Sequence, residues 1–160
     1  MKSLLIAVLL GVAPLAVASD VSTKDRTVMI DNSDSEMNAA IAKAQATLDD
    51  FLKIYDAQPK DARGYKLKVK VVDGSESEHL WVTPFKRAGK EFTGTIANQP
   101  DLVSNVEAGQ NYRFSRKDIS DWGYEKDGKQ FGSYTVCVMF KHMPKEQVEA
   151  YKKRYGFQCD

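Results

Sequence analysis

Apolar positions along this chain follow two different periods, and the place where one gives way to the other divides it. Met37, Ile41, Ala44, Leu48, Phe51 and Tyr55 recur at steps of three and four, one stripe of an amphipathic helix. Ser33-x-x-Glu36 ahead of them has capping-box spacing, in which the serine hydroxyl accepts from a first-turn amide and the glutamate bonds back. With Pro59 past the far end, the pattern predicts a helix from Glu36 to Tyr55, its aromatic residues turned to the core. At Tyr65 the period becomes two. Tyr65, Leu67, Val69 and Val71 alternate with Lys66, Lys68 and Lys70, as in a half-exposed antiparallel strand. The lysines are expected to solvate the open face, with an anionic polymer as the competing occupant.

After a turn at Asp73-Gly74, HLWVTPF (79–85) reads as a second strand. His79, Trp81, Thr83 and Phe85 share one side and Leu80 and Val82 the other, and Pro84, lacking an N–H, belongs at an edge or strand end. EFTGTIA and NYRF follow as further strands, separated by the long irregular stretch 98–110, which carries no reactive constellation. Short connections without crossover helices make the pairing antiparallel.

Asp127-Gly128 between extended segments is the strongest short-range hairpin signal. A two-residue turn there sets Lys126 opposite Lys129, Glu125 opposite Gln130, Tyr124 opposite Phe131, Gly123 opposite Gly132, Trp122 opposite Ser133 and Asp121 opposite Tyr134. Trp122, Tyr124 and Phe131 then lie on one side. The other side has a bare spot at Gly123 and Gly132, bordered by Asp121 and Tyr134 and continued by Val136, Val138 and Phe140 along a last strand ending at about Phe140. Facing glycines mark a bulge, a bend or a close approach, so either the protein's own side chains or a ligand fill the gap. Asp121 needs a partner there, from the Tyr134 hydroxyl or the amides of residues 115–119. Pro144 opens a C-terminal helix with Val148, Tyr151 and Tyr155 as its stripe, Lys152, Lys153 and Arg154 at its negative end, and Gly156 closing it. Together these elements predict an α+β fold: an antiparallel sheet of about five strands packed by the N-terminal helix, plus a short C-terminal helix.

Residues 1–18 have another character. Lys2, the apolar run from Leu4 to Val12 and the Ala16-Val17-Ala18 pattern form a signal peptide cleaved after Ala18, too short an apolar stretch for a spanning helix. The expected organisation is signal peptide 1–18, lead-in 19–32, an α+β domain at 33–143, and a helix and tail at 144–160. Loss of Lys2 with the signal leaves equal numbers of basic and acidic side chains, which argues against nucleic acid as a partner. Cys137 and Cys159, both in the exported part, are expected to form a disulfide.

The segments SEMNAAIAKAQATLDDFL, YKLKVKVVDG, EHLWVTPF, GTIANQP, GQNYRFSRKDISDW and DGKQFGSYT resemble the bacterial domain of unknown function 2314 family, the YegJ-like proteins, from about Glu36 to Phe140. HLWV and ISDW are the most specific parts of the likeness. The family brings no established activity, so the resemblance implies a domain and leaves its task to the residues.

Those residues favour a non-catalytic binding module of the cell envelope, including an immunity- or stress-type role. Its partner would be an envelope protein, peptide or glycan, and the chain a periplasmic or secreted monomer without a membrane span. The candidate contact residues are His79, Trp81, Asp121, Trp122, Gly123, Tyr124, Gly132 and Tyr134. No cofactor, metal site or catalytic residue is assigned, because ligand spacings, nucleophile elbows and phosphate loops are missing. The alternative is a small hydrolase-type enzyme using His79 and Asp121, with Glu78 and Asp118 as further acids. It requires His79 and Asp121 to converge on one cleft.

Overall fold

The computed structural model describes residues 34–159. The expected signal peptide, the lead-in and Ser33 of the expected capping box lie outside them. Asp34 caps the first helix, its Oδ1 accepting from the Met37 amide at 2.8 Å.

The class is α+β, with six strands rather than five. Helices α1 (Ser35–Ala46) and α2 (Leu48–Ala57) precede strands β1 (Ala62–Asp73), β2 (Glu76–Ala88), β3 (Glu91–Ile96), β4 (Asn111–Ser115), β5 (Ile119–Lys126) and β6 (Lys129–Gly132). Helices α3 (Tyr134–Phe140) and α4 (Lys145–Tyr155) follow. The first four strands form a meander. The chain then returns to pair β5 with the far side of β1, giving the antiparallel order β4-β3-β2-β1-β5-β6.

One sheet face holds the core, where Leu67, Val69, Val71, Leu80, Val82, Phe85, Ile119, Trp122 and Tyr124 meet Ala44, Leu48, Phe51 and Leu52. Phe51 is at its centre, stacked on Trp122 at 4.9 Å. The predicted single helix is two. Ala44 O accepts from Trp122 Nε1 at 3.0 Å, in the place that the Leu48 N–H fills in an unbroken helix, and the Thr47 hydroxyl bonds back to Lys43 O at 2.8 Å. Phe85 belongs to the core and does not share a side with His79 and Trp81. The pairing of β2 with β3 shifts between Val82 and Phe85, so Pro84 occupies an irregularity inside a central strand rather than an edge or strand end.

The expected pairing across Asp127-Gly128 is observed from Gly123↔Gly132 to Lys126↔Lys129. Beyond it the expected last strand is helix α3. Gly132 (φ 71°) and Ser133 (φ 54°) both adopt left-handed backbone and turn the chain off the sheet. Trp122 lies so close to Gly132 that its backbone oxygen and ring leave no room for a Cβ.

Helix α4 ends as expected, with Gly156 left-handed at its C-terminus. Gly156 O accepts from the Gln130 amide at 3.0 Å, so the tail lies against β6, the edge strand. Phe140 meets Tyr151 at 6.0 Å and Phe157 at 5.3 Å. Cys137 and Cys159 form the expected disulfide, tying α3 to the tail across a separation of 22 residues. Closing a loop of that length stabilises the fold by ~3 kcal/mol in the chain-entropy account.

Candidate functional site

The sheet face opposite the core carries most of the chemistry. On β1, Lys66, Lys68 and Lys70 alternate with the core residues, and the register sets Lys68 opposite Trp81 and Lys70 opposite His79. On the other flank of β1, Lys66 faces Gly123 and Lys68 faces Asp121. A register shift after Lys68 leaves Ser120 as an extra residue in β5, and such bulges re-aim side chains. The Ser120 hydroxyl reaches across to His79, with Oγ 2.7 Å from Nδ1.

Only Lys70 among the three lysines is solvated as expected. Lys68 is 8 % exposed and donates to Thr135 Oγ1 at 3.2 Å, with Met139 Sδ 3.7 Å away, because α3 covers it. Lys66 is half-buried. Both ammonium groups lie by the Trp81 ring, 4.8 Å from its centroid for Lys66 and 5.3 Å for Lys68, within cation–π range. Trp81 is half-buried, and its backbone amide donates to Asn98 Oδ1 at 2.8 Å.

Asp121 is 0 % exposed. Its Oδ1 accepts from the amides of Trp122 (2.8 Å) and Tyr134 (3.2 Å), and its Oδ2 from the amide (2.8 Å) and hydroxyl (2.6 Å) of Thr135. The carboxylate therefore caps α3 from β5, a bond set between elements distant in sequence. These partners replace the Tyr134 hydroxyl and the amides of residues 115–119 that the sequence suggested. Burial pushes the Asp121 carboxyl up from its ordinary range, while the Thr135 hydroxyl, Lys68 and the backbone amides pull it back.

Two more acidic candidates have structural partners. Glu78 is buried and accepts from the amides of Asp101, Leu102 and Val103, pinning the long loop to the sheet. Asp118 closes the turn at Ser115, accepting from its amide and hydroxyl.

The remaining sequence candidates separate by face. Trp122 and Tyr124 do not form a partner surface, because both are buried against the helices. Phe131, opposite Tyr124, is 42 % exposed. The bare spot at Gly123 is filled internally: a Cβ there would lie 2.7 Å from Ser133 Oγ and 3.0 Å from Lys66 Cε. Tyr134 is half-buried, edge-on to Trp122 at 5.5 Å, with Lys43 Nζ 4.6 Å over its ring. His79 and Asp121 share the polar face but have separate partners, Ser120 for one and the start of α3 for the other. Sequence reading missed Ser120, Ser133 and Thr135, and it took Lys66 and Lys68 as solvating residues or as a grip for an anionic polymer rather than as neighbours of Trp81. The strand register alone places the two lysines beside Trp81, but Thr135 could not be found while its segment read as a strand.

Burial first, then Lys68 and Lys70, lowers His79 from 6.5 to about 4, so the ring is neutral at pH 7. Since the unfolded chain takes up that proton at higher pH than the folded one, this contribution to stability is complete above pH 6.5 and lost as pH falls towards 4. At about 1.4 kcal/mol per tenfold shift its ceiling is ~3 kcal/mol, reduced by the solvent that reaches the ring. Replacing His79 with Gln should flatten this part of the stability profile, as read by urea unfolding at pH 4.5 and 7. An unchanged pH dependence would assign the acid sensitivity elsewhere.

Compared with known proteins, residues 34–159 match the family model described as "Uncharacterized protein conserved in bacteria (DUF2314)". The chain is 34 % identical over 113 residues to the uncharacterized protein YegJ of Escherichia coli K12, covering 71 % of this chain and 72 % of that protein. It is also 30 % identical over 84 residues to a putative ankyrin repeat protein of Neisseria meningitidis serogroup B, covering 52 % of this chain and 33 % of that longer relative. No solved structure matches.

Proposed function

We propose that this chain, which belongs to the DUF2314 family of uncharacterized proteins conserved in bacteria, is a non-catalytic binding module of the bacterial envelope that meets its partner through the polar sheet face around Trp81. The observation that carries this reading is a division of labour between two tryptophans. Trp122 is sealed in the core, whereas Trp81 is accessible on a face edged by Lys66, Lys70 and His79. Amphipathic aromatics flanked by cations are the residues that dominate interfaces. The hydrolase alternative is weaker, since four donors occupy Asp121 and His79 bonds elsewhere. The Neisseria relative bears the name of a repeat that presents binding surfaces, which favours a protein partner over a glycan. An immunity- or stress-type role fits a module of this kind. The envelope assignment rests on the signal-peptide pattern of residues 1–18 and accords with the Cys137–Cys159 bridge. Among the described residues no helix is long and apolar enough to cross a membrane.

A photo-crosslinking side chain placed at Lys70 is expected to trap a discrete partner in living bacteria, while the same group at Lys53, on the exposed side of α2, traps none. Equal trapping from both positions would remove the polar face as the contact surface. Intact mass from the same preparation should correspond to a chain starting at Ser19. Retention of residues 1–18 would overturn the envelope assignment.

A further inference from the structure

We infer that the partner of the polar sheet face is an acidic polypeptide, held as an extended segment along the strands by a row of unpaired cations with Trp81 in its middle. The inference rests on the reading of that face as the contact surface and names the chemistry that fits it. Alternation turns Lys66 and Lys70 of β1 to this side, and Trp81 and Lys86 of β2. Lys86 pairs with Thr93 and Thr93 with Arg113, so Arg113 stands level with Lys86 two strands away. Among the described residues of β1 to β4, Glu91 is the acid that alternates to the same side, and Arg113 Nε takes it at 2.5 Å. Lys66, Lys70 and Lys86 form no ion pair among the described residues, and the last two are exposed. Asp121, the carboxylate closest to this row in register, is sealed under α3 by its four donors. The face therefore carries positive charge that the chain itself does not answer.

The arrangement of that charge selects the class of partner. From Lys70, level with His79, past Lys66 and Trp81 to Lys86, the row runs about 23 Å at ~3.3 Å per strand residue, the span of roughly seven extended residues. Phosphate groups are gripped by converging donors, bidentate arginine above all, and the arginine on this face is taken by Glu91. Cations standing singly along a strand instead meet carboxylates spaced along an extended chain. Trp81, with Lys66 Nζ 4.8 Å from its ring centroid, offers an aromatic contact to an apolar residue between those acids. Exposed charges of this kind act chiefly on capture rate and register, and salt screens them.

The test titrates the folded protein with poly-L-glutamate at low salt and follows backbone amide shifts by NMR. Shifts should concentrate on Lys66, Lys70, Trp81 and Lys86. Affinity should fall several-fold in the double variant Lys70→Gln/Lys86→Gln and again as salt is raised, and stay at the wild-type value in Lys53→Gln on α2. Failure to bind, shifts spread over other faces, an equal loss in Lys53→Gln, or tighter binding of inorganic polyphosphate than of poly-L-glutamate overturns the inference. In living bacteria the chemistry and the surface separate. A partner trapped from position 70 at a yield that Lys86→Gln leaves unchanged overturns the acidic partner while the contact surface stands, whereas no trapping from position 70 removes the surface and this inference with it.

Discussion

Replacement of Asp121 by alanine should destabilise the protein by about 3–5 kcal/mol, the range for removing one partner of a buried charged network. Three amides and the Thr135 hydroxyl lose their acceptor together, and Lys68 loses the carboxylate that its strand register sets opposite it. Each unsatisfied buried donor costs about 1–3 kcal/mol, offset in part by relaxation of α3. Asp121→Asn should fall between wild type and alanine, because it keeps an accepting oxygen but turns an NH2 towards donors. Guanidinium unfolding followed by tryptophan fluorescence measures both. A wild-type midpoint for Asp121→Ala would mean that α3 does not depend on the carboxylate.

The second large effect is expected at Trp122. It is 6 % exposed, stacks on Phe51 at 4.9 Å and bonds through Nε1 to Ala44 O at 3.0 Å and Thr47 Oγ1 at 3.2 Å. Truncating such a ring to alanine costs about 3–5 kcal/mol through lost burial and the cavity left behind. Trp122→Phe keeps a ring against Phe51 but forfeits the two bonds and part of the buried ring volume, so its loss should be smaller, about 1–3 kcal/mol. Thermal melts of the pair show how much of the loss a phenyl ring recovers. Equal losses would place the whole contribution in what the indole has beyond a phenyl ring.

Local patterns in the sequence carry much of this architecture. Strict alternation through Leu67, Val69 and Val71 requires a strand with one wet face, and Asp127-Gly128 admits one tight turn, so the pairing of Gly123 with Gly132 was legible before any coordinates. The helix at 134–140 was not. Thr135, Val136 and Val138 are β-branched residues in a short apolar run, which reads as a strand, and its helical state depends on the remote Asp121 carboxylate accepting from its first amides. Neither was the break at Thr47, because the apolar stripe passes through it unchanged and the interruption comes from an indole on another element. The same blindness affected the site. Asp121 and Trp122 looked like contact residues because polarity and aromaticity show in sequence, whereas burial by α3 and α1 does not. Strand alternation alone sets Trp81 on the lysine face.

The polar face owes its form to these structural choices. Capping α3 with Asp121 draws Lys68 beneath that helix and leaves Lys66 and Trp81 beside it, while the disulfide-tied tail brings Phe157 over Lys66. Charge and aromatic surface are thereby gathered at one place.

The most direct measurement compares Trp81→Ala with wild type, each carrying the crosslinking side chain at position 70, while the melting temperature is followed in parallel. The account predicts that Trp81→Ala melts within a few degrees of wild type and no longer traps the partner. Trapping at the wild-type level by a folded Trp81→Ala protein would contradict it.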